Sequence, residues 1–151
     1  MDLFTVGAAL KFAVELETVA RDAYRAAADE AQEPGRRTLL AELAAGNATR
    51  IQTLRRLYDD HVYSDMDTGV LAPIASLDSQ AYQDADAADP AADTLAAGQA
   101  REALAERFYA DVVQRMDSGP RSLTRGMQKL AADNRTRAQR LAGGCDGGKA
   151  G

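Results

Sequence analysis

One pattern occurs twice in this chain. Glu17-x6-Tyr24 is followed by Asn47-Ala-Thr-Arg50, and Glu102-x6-Tyr109 is followed by Asn134-Arg-Thr-Arg137. The spacing is kept: position 102 follows 17 by 85 residues, as 109 follows 24, while 134 follows 47 by 87, as 137 follows 50. The flanks agree too, with Leu43-Ala-Ala-Gly-Asn-Ala-Thr-Arg-Ile-Gln-Thr-Leu54 set against Leu130-Ala-Ala-Asp-Asn-Arg-Thr-Arg-Ala-Gln-Arg-Leu141. A fold that accepts this chain must place two similar helix pairs side by side. Each pair carries polar residues where its apolar stripe should continue, and polar residues on a core face mark the place where a helical protein holds its chemistry or once held it.

The 151 residues suit one domain with its own core. Much of the 46% hydrophobic content is alanine, aromatics are 5% and Trp is absent, a balance that favours helices. The net charge of −5, with no Lys/Arg cluster free of acids, argues against a nucleic-acid surface. Lys11, Glu15 and Glu17 interrupt the first apolar run, so neither a signal peptide nor a membrane span is expected, and the expected compartment is the cytoplasm. Cys145 is the single cysteine and cannot form an intrachain disulfide. It lies in Gly143-Gly-Cys-Asp-Gly-Gly-Lys-Ala-Gly151, read as a flexible tail.

Periodicity predicts four helices, over about 3–31, 36–60, 93–117 and 120–142. The first carries Leu10, Ala13, Val14, Glu17, Ala20, Tyr24, Ala27 and Ala28 on one face and stops before Pro34-Gly35. The second aligns Leu40, Leu43, Asn47, Arg50, Leu54 and Leu57. The third aligns Leu95, Gly98, Glu102, Ala105, Tyr109, Val112 and Met116. Pro120 opens the fourth, whose face is Leu123, Met127, Leu130, Asn134, Arg137 and Leu141, with Gly143-Gly144 as its end.

Short turns within each pair and a long Asp/Ala-rich connection between the pairs define the topology. That connection, about residues 61–92, holds Pro73, Pro90 and one apolar cluster (Val70, Leu71, Ile74, Leu77), expected to cover the helices as a turn or short helix. Two antiparallel hairpins joined by a long crossover is the ferritin-like order of four helices. The predicted fold is therefore all-α, a ferritin-like four-helix bundle over residues 1–142 with a Gly-rich tail from 143 to 151.

Glu17, Asn47, Arg50, Glu102, Asn134 and Arg137 should then converge at the centre, with Tyr24 and Tyr109 as neighbours that hydrogen-bond into the same network. Over all four helices the sequence resembles the rubrerythrin-like branch of the ferritin superfamily. The stretches that carry the resemblance are Leu10 to Tyr24, Leu43 to Leu57, Ala100 to Tyr109 and Leu130 to Leu141. The resemblance implies a di-iron site in which one Glu from each of two helices and a Glu-x-x-His from each of the others bind the metals. Glu17 and Glu102 match the single-Glu positions. The two Glu-x-x-His motifs are replaced by Asn47/Arg50 and Asn134/Arg137, and no Cys-x-x-Cys pair is present.

Asn is a weak neutral ligand, and Arg is a fixed cation that cannot coordinate a metal. Two Glu and two Arg are formally neutral with no metal at all. The expectation is that the guanidinium groups stand at the metal positions and pair with the carboxylates. No catalytic residue and no cofactor follow from this reading. The leading function is a structural or interaction role, with a homodimer implied by the resemblance and the protein partner unknown. One alternative is an active di-iron oxidoreductase or peroxide-handling protein holding iron or manganese through Glu17, Glu102 and further ligands. Another is anion or small-ligand binding in the core by Arg50 and Arg137, which depends on whether the two Glu already satisfy them. His61 with Asp65 and Asp67 reads as a solvated segment, and Glu15, Asp22, Glu42 and Glu106 read as surface charges.

Overall fold

The chain enters its first helix through Thr5, whose hydroxyl accepts the Ala8 N–H at 3.1 Å and caps one of the four amides a helix start leaves open. This computed structural model describes residues 2–63, 69–83, 94–116 and 121–145. Its elements are β1 (Asp2–Thr5), α1 (Val6–Glu30), α2 (Pro34–His61), β2 (Pro73–Asp78), a 3₁₀ turn (Ser79–Tyr82), α3 (Thr94–Arg115) and α4 (Arg121–Cys145). The protein is mostly helical, with a small two-stranded sheet.

Leu3 to Thr5, predicted as the first turn of a helix, instead form β1. The crossover segment predicted as a turn or short helix forms β2. Asp2 pairs with Asp78 and Leu3 with Leu77 in an antiparallel ladder that shifts register before Thr5 reaches Pro73. Pro73 is tolerated because it is the first residue of a strand. The tertiary reason lies in the start of α1. Its Val6 N–H donates to Ala72 O at 3.0 Å and its Gly7 N–H to Val70 O at 2.7 Å. The crossover backbone thus satisfies amides that the helix cannot. Leu3, Ile74 and Leu77 are buried by the same arrangement, and Leu71 remains exposed.

Pro34-Gly35 stops α1 as predicted, but Pro34 is also the first residue of α2. Glu33 caps that helix by accepting the Gly35 and Arg36 N–H groups at 2.9 and 2.6 Å, and these amides hold its carboxyl below the usual carboxylate range. Arg37 closes the turn from the other side, donating through Nε and Nη2 to Ala31 O at 3.0 and 2.7 Å. At the far end, α4 runs through Gly143-Gly144 to Cys145, past its predicted end at 142. No glycine among the described residues adopts positive φ, so neither glycine makes a left-handed cap. Pro90, Ser118-Gly119-Pro120, Asp65, Asp67 and the tail from 146 onward lie outside the described residues.

Within each hairpin the helices run antiparallel: Gly7 lies near Tyr58 and Glu17 bonds Asn47 in the first, while Gly98 meets Leu141 and Glu102 bonds Arg137 in the second. Between hairpins, Tyr24 reaches Gly98 and Glu102 while Tyr109 reaches Glu17, so α1 and α3 are also antiparallel. Arg137 reaches Leu43 and Leu57 lies against Gly126, so α2 and α4 are antiparallel too. It follows that α2 and α3 point the same way, and the chain between them must return along the length of the helices.

Two apolar clusters fill the interior. One, around Leu10, Phe12, Phe108, Val112 and Leu123, lies toward the sheet, where Phe108 meets Phe12, Tyr82 and Tyr109 edge-on at 5.3, 5.1 and 5.4 Å between centroids. The other, around Tyr24, Leu40, Leu43, Leu95 and Leu141, lies toward the Ala31–Glu33 turn. The predicted core polar residues sit at the divide between them.

Gly7 makes the sheet-to-helix approach possible, because a Cβ there would lie 2.8 Å from Val70 O. Gly7→Ala should cost about 1–3 kcal/mol, read as a lowered urea midpoint with an unchanged slope. An unaltered midpoint would show that the crossover is not held against α1 in this way.

Candidate functional site

The four helices bring all six predicted core residues together. Glu17, Asn47, Arg50, Glu102, Asn134 and Arg137 are each no more than 5% exposed, and Tyr24 and Tyr109 are equally buried beside them. Asn and Arg three residues apart project from one face of α2 and again from one face of α4.

The network is built in two equivalent halves. Arg50 donates to Glu17 through Nε and Nη2, both at 3.0 Å, and Asn47 donates to the same carboxylate at 2.7 Å. In the second half Arg137 donates to Glu102 through Nε at 2.8 Å and Nη2 at 3.2 Å, and Asn134 donates at 2.8 Å. Both Arg–Glu pairs have the forked geometry that suits a guanidinium.

The halves are then tied crosswise. Arg50 Nη2 also donates to Asn134 Oδ1, and Arg137 Nη2 to Asn47 Oδ1, both at 2.7 Å. The phenol of Tyr109 donates to Glu17 and that of Tyr24 to Glu102, both at 2.6 Å. Each tyrosine therefore serves the glutamate of the opposite hairpin. Seven residues of helix carry Tyr24 roughly 10 Å past Glu17, out of reach of it but level with α3. Each arginine also faces the tyrosine that serves its glutamate, with Arg50 5.6 Å from the Tyr109 ring centroid and Arg137 5.7 Å from that of Tyr24.

One difference separates the halves. Arg50 Nη1 donates to Leu130 O at 3.3 Å and to Asp133 at 2.7 Å, which engages all five guanidinium donors. Arg137 Nη1 donates to Leu43 O at 3.3 Å, and the position equivalent to Asp133 is Gly46. A Cβ on Gly46 would lie 2.8 Å from Arg137 Nη1, so the guanidinium occupies the space of a side chain. The part played by Asp133 was not predicted. Its only sequence signal is that the two halves differ there, Gly against Asp.

The charges reinforce one another. Burial alone would push the Glu102 carboxyl up, but Arg137, with Tyr24 and Asn134, overrides it and holds the group below its ordinary value. Burial likewise opposes the charge on Arg50, and Glu17 outweighs it, so the guanidinium is held charged more firmly than in water. The Tyr24 and Tyr109 phenols are pushed up by burial and then by their glutamates, which keeps them neutral donors. Outside the network, burial and its bond to Asp111 at 2.6 Å push the Tyr82 phenol up to about 12.

These residues do not fit a di-metal centre. Each glutamate accepts four hydrogen bonds, the capacity of a carboxylate, and has no lone pair open to a metal. Among the described residues no group of three or more His, Cys, Asp or Glu is placed to hold a metal ion. His61 ends α2 within 3.0 Å of the Ser122 hydroxyl. Glu15 and Asp22 are exposed, Glu42 pairs with Arg140, and Glu106 pairs with Arg135 at 2.6 Å. Compared with family models, curated proteins and solved structures, the chain matches none.

Arg50→Met leaves Glu17 buried with half its donors gone and should cost ~3–5 kcal/mol. Adding Glu17→Gln should recover a large part of that loss, so a double-mutant cycle by urea unfolding measures the coupling. Two additive losses would mean that the pair is not coupled.

The pH dependence has two limbs. The depressed Glu102 value adds stability that is present above about pH 4.3, the unfolded carboxyl value, and is lost as pH falls through the folded value. The raised Tyr24 and Tyr109 values add stability that is present below about pH 10 and is lost as pH rises toward the folded values. Melting temperature should therefore fall on both sides of a plateau, and Tyr24→Phe with Tyr109→Phe should flatten the alkaline side. A double variant with the parent's alkaline limb would place its cause elsewhere.

Proposed function

We propose that this chain is a ferritin-like bundle of the rubrerythrin-like kind in which a buried salt-bridge network stands where a di-iron site would lie, and that its role is structural or interactive rather than catalytic. The observation that carries this reading is the saturation of Glu17 and Glu102. The two carboxylates in the family's metal-ligand positions spend every acceptor site on Asn, Arg and Tyr donors.

The helix directions support the fold assignment. With α1 antiparallel to α2 and to α3, the order is that of two hairpins joined by a full-length crossover, as in ferritin-like bundles. The twofold repetition supports the replacement. Both halves carry the same Asn/Arg pair and make the same bonds, as a coordinated exchange of metal for guanidinium would leave them. Because the glutamates already satisfy the arginines, an anion held between the guanidinium groups is disfavoured. Among the described residues no helix is long and apolar enough to cross a membrane. A homodimer is the assembly we expect, by analogy with related bundles.

Elemental analysis of protein expressed with added iron and manganese, followed by anaerobic Fe(II) titration, tests the reading. Less than ~0.1 metal per chain and no optical change with oxygen or peroxide is the expected result. About two metals per chain would overturn it and make the protein an oxidoreductase with another ligand set.

A further inference from the structure

A cavity of about 270 Å³ opens between α1 and α3 and reaches the network from its side. Leu16, Val19, Ala20, Leu104 and Ala105 make most of its apolar wall, Glu17, Glu102, Asn47 and Asn134 make its floor, and Glu15, Gln83 and Arg101 add further polar groups to the lining. An apolar cavity of ~150 Å³ already holds benzene, so this one has room for a ring with a substituent.

The floor has a definite hydrogen-bonding character. Both carboxylates are saturated and offer nothing to a donor. The amide oxygens of Asn47 and Asn134 are taken by Arg137 and Arg50. Each amide nitrogen carries two N–H groups and gives one of them, to Glu17 or Glu102. The other N–H of each meets no acceptor among the described residues, although both side chains are at least 98% buried. A buried donor left without an acceptor is costly, so these two groups call for an oxygen from outside the protein. Glu15, Glu17 and Glu102 outnumber Arg101 among the charged lining residues and disfavour an anion there, and the two N–H groups left without an acceptor disfavour a cation.

We infer that this cavity binds a small, neutral, largely apolar molecule through an acceptor oxygen held by the second amide N–H groups of Asn47 and Asn134. The inference rests on the salt-bridged network proposed above, since that network fixes both amides. It makes the network the floor of a binding site as well as a structural core.

Three probes of nearly one shape separate the contributions: acetophenone, ethylbenzene without the acceptor, and benzoate with a charge. Binding is followed by calorimetry and by the side-chain amide resonances of Asn47 and Asn134 in ¹⁵N spectra. Distinct, exchange-protected amide signals before any probe is added confirm the network separately, and their loss would indict that reading rather than the cavity. Acetophenone should bind saturably, shift both amide pairs and bind about tenfold more tightly than ethylbenzene, with benzoate weaker than either. Ala105→Phe, or Leu104→Trp if the first does not fold, should fill the cavity and abolish binding. Equal affinity for acetophenone and ethylbenzene, a preference for benzoate, no saturable acetophenone binding, or binding that survives in a folded filled variant would each overturn the inference.

Discussion

Everything in this molecule is arranged around two carboxylates that cannot be buried alone. An unpaired buried charge is costly enough to unfold a protein of this size. Glu17 and Glu102 are each no more than 2% exposed, so each must be supplied with donors from several directions. Supplying them requires helices from both hairpins at one level. The arginine and asparagine come from the partner helix of the same hairpin, and the tyrosine comes from the opposite hairpin. The network therefore sets the register of all four helices at once, which apolar packing alone does weakly because one leucine can replace another.

This geometry explains why the polar layer lies between two apolar clusters rather than at one end. Hydrophobic packing on either side excludes water and strengthens the charge-assisted bonds, while the bonds hold the clusters apart at a fixed spacing. A buried ion pair contributes little net stability relative to well-packed apolar residues. Its value here lies in specificity, because a slipped helix would strand a charge. The same saturation leaves the two carboxylates no free acceptor site and leaves the second N–H groups of the two asparagines without an acceptor among the described residues.

The near-symmetry of the halves is broken where it affects the network least. Asp133 adds a fifth acceptor for Arg50 on a partly solvated edge, where a carboxylate costs little to place. Gly46, its counterpart, leaves room for the Arg137 guanidinium. Each half so keeps its four bonds to glutamate while its outer edge differs.

The repeat and its heptad-like spacing determined much in advance: four helices, their inward faces, and the six polar residues that meet at the centre. That much is local, since a three- or four-residue spacing puts side chains on one face whatever the surroundings. The sequence could not say which tyrosine serves which glutamate, because that depends on the direction of α3 relative to α1 and so on the path of a long connection. Nor could it show that Leu3 to Thr5 and Pro73 to Asp78 pair as strands. A segment this short carries no periodicity of its own, and it becomes a strand only because the crossover returns beside it and caps the first amides of α1. Residue identity settled which groups must be buried together; only the tertiary structure, by bringing distant backbone within hydrogen-bonding reach, decided how each of them is satisfied.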